Sequence, residues 1–480
     1  MDRRTFVKTA VAGSAAAAFA LYSFNLMKVA RIPQLATIQL ASPQVSGRIS
    51  PDLTVPHLLR RAGFGASTSE LQTYQSMGFD AAVDSLVNYQ SIDNSKLDSV
   101  QPKIQLSYSG TRSGNELQSL ATWFLNRMVQ TAHPLEEKMT LFWHNHFATG
   151  YSKVENGYLM YKQNQFLRAN ALGNFKDILT GITADGAMLV WLDGNQNRNG
   201  NPNENYAREI MEVFSTGRGP YTEDDIKNSA RAFTGYRIDS TGTGVFDPRL
   251  HDNGIKTFMG VTGNLGPKDI IDILVPHPAT ASNLAAELFS YLAYPNPNQD
   301  TITRLSRVYL DSGYSIKALV QAILTSPEFV SSQAYLSLVK SPAEYAATAL
   351  RSLGATANLN AAVAGMNNMA QMLFNPPSVF GWPSGTGWVD TASVLERYNF
   401  PLMLQTTKEN PASQLNQGVF AGSMSIPEIV QLLVAPLFPD GIPDEFMQVI
   451  YSSTSKLSDP VQKTKNAVRL AMASPFFNLN

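Results

Sequence analysis

Apolar residues recur at three- and four-residue steps through most of this chain, the spacing of helices that bury one face. From Pro56 the pattern turns helical through His57-Leu58-Leu59-Arg60-Arg61, and Gly63-Phe64-Gly65 breaks it. Ser67-Thr68-Ser69-Glu70 opens the next helix and Met77-Gly78 closes it. His133-Pro134 opens a helix that runs through Glu136 to about residue 148 and closes near Gly150. Another covers about 174–192, with a break near Gly186. Thr222 caps a helix carrying Glu223, Asp224 and Asp225 in its first turn, where carboxylates meet the positive end of the dipole, and Gly235 ends it. Residues 236–263 are different. They are rich in Gly and β-branched residues, with Asp252-Asn253-Gly254 as a turn signal, and predict a β-hairpin or long loop. Helices resume at Pro278 and continue to about residue 351.

The expected fold is mainly α: a large multi-helix body with a small β insertion around 236–263. Residues 31–52, with Pro33, Pro43, Gly47 and Pro51, read as an extended lead-in. Residues 53–345 form the main helical domain and 346–480 a C-terminal helical region packed on it, with a soft boundary near 340–355. Within the second region, 352–374 is a helical bridge and 375–388 a Pro/Gly/Trp loop. One device occurs twice. A helix ends in Thr325-Ser326-Pro327-Glu328-Phe329 and another in Ala473-Ser474-Pro475-Phe476-Phe477, too short a likeness for a solenoid.

The first thirty residues carry an address. Asp2-Arg3-Arg4-Thr5-Phe6-Val7-Lys8 precedes an apolar stretch of small residues over 9–27, the layout of a secretory signal. Paired arginines, with Phe two residues later and Lys soon after, narrow it to the twin-arginine type. Ala18-Phe19-Ala20 offers a cleavage site; uncleaved, the run is about long enough to stay as a membrane anchor. No later stretch approaches ~18 uninterrupted apolar residues. The expectation is a protein exported to the periplasm, the cell surface or the medium, with the twin-arginine machinery as a partner. Membrane contact is expected through the N-terminal segment only.

Composition then removes whole classes of chemistry. The 480 residues are 44% hydrophobic, enough for a large core. Thirty-seven Lys and Arg balance 38 Asp and Glu, so no global field draws in nucleic acid. There is no cysteine, which excludes disulfides, thiolate catalysis and Cys-held zinc or iron–sulfur centres. Any metal must be held by His, carboxylates, amides or carbonyls.

Four places carry candidate chemistry. In Lys138-Met139-Thr140-Leu141-Phe142-Trp143-His144-Asn145-His146-Phe147, a helix turns His144 and His146 about 200° apart, so only one faces a given site. Glu137 and His144 share a face two turns apart, and aromatic core packing explains the segment as well as a site does. Asp193-Gly194-Asn195-Gln196-Asn197-Arg198-Asn199-Gly200-Asn201-Pro202-Asn203-Glu204 places Asp193, Asn195, Asn197 and Glu204 at the spacing of an EF-hand calcium loop. Arg198 stands where the turn glycine belongs and Gly200 where an apolar residue belongs. The competing reading is an N-cap at Asn201, Pro202 at the first helical position and Glu204 in a capping box. On the following helix, Arg208, Glu209 and Glu212 share one face, as a solvated ion-pair stripe or as an acid–base or metal site. In Phe246-Asp247-Pro248-Arg249-Leu250-His251-Asp252-Asn253-Gly254-Ile255-Lys256-Thr257, His251 and Asp252 are candidate ligands or base, and Lys256 a candidate anion holder, against an ordinary Asx turn. No G-x-S-x-G elbow, P-loop, dinucleotide fingerprint or H-E-x-x-H occurs.

Several motifs in order resemble the domain of unknown function 1800 family. They are His57-Leu58-Leu59-Arg60-Arg61-Ala62-Gly63-Phe64-Gly65, Phe142-Trp143-His144-Asn145-His146-Phe147 and Asn203-Glu204-Asn205-Tyr206-Ala207-Arg208-Glu209 with Glu212. Thr216-Gly217, Tyr221-Thr222-Glu223-Asp224-Asp225 and His251-Asp252-Asn253-Gly254-Ile255-Lys256-Thr257 follow. Last come His277-Pro278-Ala279-Thr280-Ala281 and Pro376-Pro377-Ser378-Val379-Phe380-Gly381-Trp382-Pro383. The likeness runs from residue 53 to the C-terminus, while the Asn-rich insert between Asp193 and Asn203 departs from it. It implies an exported, mostly helical bacterial protein, with no reaction attached.

If these segments converge, His144, Arg208, Glu209, Glu212 and Lys256 are the catalytic candidates. His144, His146, Glu209, Glu212, His251 and Asp252 are the ligands of a divalent metal with an open position for water. The function expected is a metal-dependent extracytoplasmic enzyme, a hydrolase on an envelope polymer. The alternative is a non-enzymatic envelope or extracellular-matrix assembly protein whose polar motifs are buried networks. A haem ligand at His144 or His146 has no second motif behind it.

Overall fold

Side-chain caps set many of the helix starts in the computed structural model, which describes residues 47–110, 114–354, 358–405, 425, 427–428 and 434–480. The export signal read at 1–30, and 31–46 of the lead-in, lie outside the described residues. Ser67 accepts from the Glu70 amide at 3.4 Å while the Glu70 carboxylate takes the Ser67 N–H at 2.9 Å, and the helix Thr68–Met77 follows. Thr222 and Asp225 make the same reciprocal pair ahead of Glu223–Ala232. Asp185 accepts from the Met188 amide at 2.8 Å, so the helix expected over 174–192 divides into Phe175–Thr183 and Gly186–Trp191.

Three boundaries differ from the sequence reading. The first helix spans Pro51–Arg61, because Pro51 at the first position needs no donor, and it carries Pro56 inside it. Pro134–His146 ends two residues early, where Phe147 leaves helical geometry at φ −95°, ψ 50°. The helix Glu204–Glu212 is capped by Asn203 rather than Asn201; the Asn203 side chain accepts the Asn205 N–H at 2.9 Å.

Residues 236–263 form two separate antiparallel hairpins. Tyr236–Ile238 pairs with Gly244–Phe246 and Lys256–Phe258 with Val261–Gly263. The Asp252-Asn253-Gly254 turn joins the hairpins instead of tipping one. The repeated stop is also real: Ser326 accepts the Phe329 N–H and Ser474 the Phe477 N–H, each at 3.2 Å, and both Phe rings are buried.

The described chain is mainly helical around two large apolar cores, with a small third cluster of Val339, Trp382, Trp388, Val389, Val394 and Leu479 beside them. One gathers residues from Ile49 to Ala334, including the helices Pro278–Leu292, Gln299–Asp311 and Ile316–Leu324. The other centres on Glu116–Gln130, packed by Pro342–Ser352 and Leu359–Asn368. Every residue of Pro342–Ser352 is buried. Each fully buried Leu, Phe or Met contributes roughly 1.5–3 kcal/mol. The helix Pro134–His146 runs along the seam, giving Leu135, Met139 and Trp143 to the first core and Leu141 to the second. The seam itself is polar, and the site lies in it.

Candidate functional site

Burial of charge on the Pro134–His146 helix is tolerated because each charge has partners. Glu137 is fully buried and takes Arg127 Nε at 2.6 Å, Arg168 Nε at 2.8 Å and Arg168 Nη2 at 3.0 Å. Burial alone pushes its carboxyl up, but Arg168 and Arg127 together outweigh that and hold it below the usual range. Two turns on, His144 Nε2 accepts the Phe374 N–H at 3.0 Å, with the ring packed against Phe124, Phe374 and Trp382. Burial first, and then Arg168, pushes the His144 pKa down to about 3. The ring is therefore neutral at pH 7, and its Nε2 lone pair is already engaged.

His146 points into different surroundings, as the helical period requires. Its Nδ1 lies 2.9 Å from a Glu287 carboxylate oxygen and its Nε2 3.2 Å from the Phe214 carbonyl. Both nitrogens face acceptors, so both bonds form only when the ring is doubly protonated. Between the two histidines, Asn145 accepts the Trp382 N–H at 2.7 Å. Gly381, at φ +73°, lets the backbone lie against Asn145 where a Cβ would collide with it.

These contacts enclose a cleft of about 320 Å³ between the first core and the small cluster around Trp382 and Trp388. Phe142, Tyr291, Trp382 and Trp388 line it, with Phe380 at the mouth, and Asn145, Glu287 and Gln371 stand among the rings. The segments 142–147 and 376–383 thus face each other across one space.

The helix Glu204–Glu212 buries Tyr206, Ala207, Ile210 and Met211 and turns its polar side outward. Arg208 meets Glu223 at 3.0 Å, and Glu204 and Glu212 each at 3.5 Å. Arg218 bonds Glu212 at 3.1 Å and lies over the Phe380 ring, 5.9 Å from its centre, which brings this face to the rim of the cleft. Glu209 has one carboxylate oxygen buried without a partner; burial, and then Glu212, raises its pKa.

The loop after the first hairpin serves itself. His251 Nδ1 lies 2.9 Å from the Thr234 carbonyl, and Asp252 holds Arg231 through two bonds of 2.7 and 3.2 Å. The buried Lys256 ammonium donates to the carbonyls of Asp252 and Gly254 and to Asn264 Oδ1, so it closes the turn. In the Asn-rich loop the oxygens diverge. Asp193, at φ +59°, pairs with Lys153 at 2.9 Å and Asn205 at 3.0 Å. Asn197 is turned inward, bonding the Ala230 carbonyl and the Asn203 N–H, each at 2.9 Å, while Asn195 is exposed and Glu204 reaches Arg208. Among the described residues no three His, Asp or Glu side chains come together as a metal ion would need. The structure places His144, the Glu209–Glu212 face and the His251–Asp252 turn in separate networks.

Sequence reasoning missed Glu287, Tyr291, Gln371 and Trp388. A signal existed for two of them: Asn283, Glu287 and Tyr291 form an i, i+4 polar stripe on the otherwise apolar helix Pro278–Leu292. The model of the family described as "Protein of unknown function (DUF1800)" matches residues 57–479. The chain belongs to that family. No curated protein and no solved structure matches it.

Proposed function

We propose that this is an exported bacterial envelope protein that binds an envelope polymer in the aromatic cleft beside the Pro134–His146 helix, without performing chemistry on it. The observation that carries this reading is the pairing of two family-like segments across the cleft, tied by the Asn145–Trp382 bond of 2.7 Å. Aromatic walls with a few convergent polar groups are the usual make-up of a ligand site. Export is supported by Arg3-Arg4 and the apolar run behind them. No helix among the described residues is long and apolar enough to cross a membrane.

Acid–base work needs a group with a free lone pair or a mobile proton facing the ligand. Glu287 keeps lone pairs toward the cleft, but its neighbours offer no second proton-transfer group: the ring nitrogens of His146 both face acceptors, and Glu344, also in the cleft wall, is tied to Lys138, Ser341 and Asn480. The metal-assisted hydrolysis allowed by the motifs has no converged donor set among the described residues, and binding is the better-supported reading.

Co-sedimentation of the full chain with purified cell envelopes tests it. Ser290 lines the cleft, and Ser290→Trp fills it. The wild type is expected to sediment and the variant to remain in solution; equal sedimentation of the two removes the cleft from function.

A further inference from the structure

Two of the carboxylates at the cleft face fixed cations, and the third faces an imidazole. Glu287 lies 2.9 Å from His146 Nδ1, and Glu344 meets the buried Lys138 ammonium. At the rim, Glu212 is shared by Arg218 at 3.1 Å and Arg208 at 3.5 Å. The fixed cations are thus already taken by Glu344 and Glu212, and Glu287 is the carboxylate left open to a ligand. A polyanion entering the cleft would lose hydration and gain no counter-ion.

The acceptors and donors are mixed. Glu287, about a third exposed at 37%, can accept only; Gln371 uses its carbonyl on the Ala343 amide at 2.8 Å and has its NH₂ left to donate. A proline-rich peptide presents mainly carbonyl acceptors, which a carboxylate repels. Hydroxyl groups both donate and accept, and so suit both side chains. Around these groups stand aromatic rings, and Phe380 is 60% exposed at the mouth. Ring faces beside hydrogen-bonding groups match a molecule whose C–H faces are apolar and whose edges carry hydroxyls. A volume of about 320 Å³ sits at the low end for small-molecule sites, room for one or two sugar rings.

We infer that the cleft takes an uncharged glycan, gripping a short stretch of a longer strand, with Glu287 accepting from sugar hydroxyls and Phe380 stacking at the entrance. The inference rests on the cleft being a binding site and names its occupant.

The test is titration of the full chain followed by tryptophan emission, since Trp382 and Trp388 both line the cleft. The probes are cellohexaose, maltohexaose and the fully N-acetylated chitohexaose, with polygalacturonate and a polyproline peptide beside them. At least one neutral oligosaccharide is expected to give a saturable change, and the last two none. Phe380→Ala, at an exposed position, and Glu287→Gln should each weaken binding roughly tenfold. Three results overturn the inference: no neutral oligosaccharide binds, polygalacturonate or polyproline binds as well, or Phe380→Ala binds unchanged. If envelopes are held through the cleft but no neutral oligosaccharide binds, the glycan is wrong and the binding role stands. Oligosaccharide binding without envelope sedimentation keeps the glycan and removes the envelope.

Discussion

The Phe374 amide donates to His144 Nε2 over 3.0 Å, joining residues 230 positions apart in the chain. Because that lone pair is engaged, the side chain is a fastener between the seam helix and the C-terminal region. His144→Ala leaves the buried Phe374 N–H without an acceptor and opens a gap among three aromatic rings. The expected loss is about 2–4 kcal/mol in urea unfolding. Metal content of protein purified without chelator should be substoichiometric in wild type and variant alike. Stoichiometric metal lost on mutation would restore the metal-enzyme reading.

The same residue makes a pH prediction with a definite sign. Its folded-state pKa is pushed down to about 3 from an ordinary 6.5, so the unfolded chain binds a proton first as pH falls. Stability is full above about 6.5 and declines as the solution is acidified toward 3. Between about pH 7 and pH 5 the wild type should lose on the order of 2 kcal/mol more than His144→Gln, which cannot titrate. Parallel curves for the two proteins would show that the ring takes up its proton as readily folded as unfolded. Buried His57, lowered by burial and then by Arg61 and Arg60, acts in the same direction in both proteins.

Two carboxylates separate a structural charge from a strained one. Glu137→Gln leaves Arg127 and Arg168 without their shared buried counter-charge and should cost about 3–5 kcal/mol. Glu209→Gln removes a carboxylate that burial and Glu212 already disfavour, so thermal melts should show a small gain or no change. A large loss at Glu209 would mean that it has a partner essential to the fold.

Calcium should not stabilise the protein. Asp193 is held by Lys153 and Asn205, and Asn197 faces the interior, so millimolar calcium is expected to leave the melting temperature unchanged. Asn197→Ala should instead destabilise by roughly 1–3 kcal/mol, with the Ala230 carbonyl and Asn203 N–H left unpaired.

Local chemistry was legible in the sequence. The Ser67 and Thr222 caps, the break before Gly186 and the β insertion after Gly235 depend on neighbours within a few residues, and all are present. Convergence was not legible. The Asp193–Glu204 spacing matches a calcium loop, yet the left-handed backbone at Asp193 and the inward turn of Asn197 point the oxygens apart. Spacing fixes how far apart donors lie along the chain, whereas backbone dihedrals decide where they aim. The cleft draws Asn145, Glu287, Gln371 and Trp388 from four distant segments, and no local pattern records that they meet. Only the Phe142–Phe147 and Pro376–Pro383 motifs, both quoted for family resemblance, held part of it.

The bond from His57 to the Phe329 carbonyl closes a loop of 272 residues, and that from Arg351 to the Val129 carbonyl one of 222. Loops of this length must be closed before such contacts reward folding, which makes the search slow and leaves apolar faces open meanwhile. The first described helix has to wait on the synthesis of residues near 330 before it can dock. The seam, and the cleft within it, is thus expected to set late, after each core has collapsed. For a chain exported as proposed above, slow maturation of this kind favours completing the search among chaperones ahead of passage through a membrane.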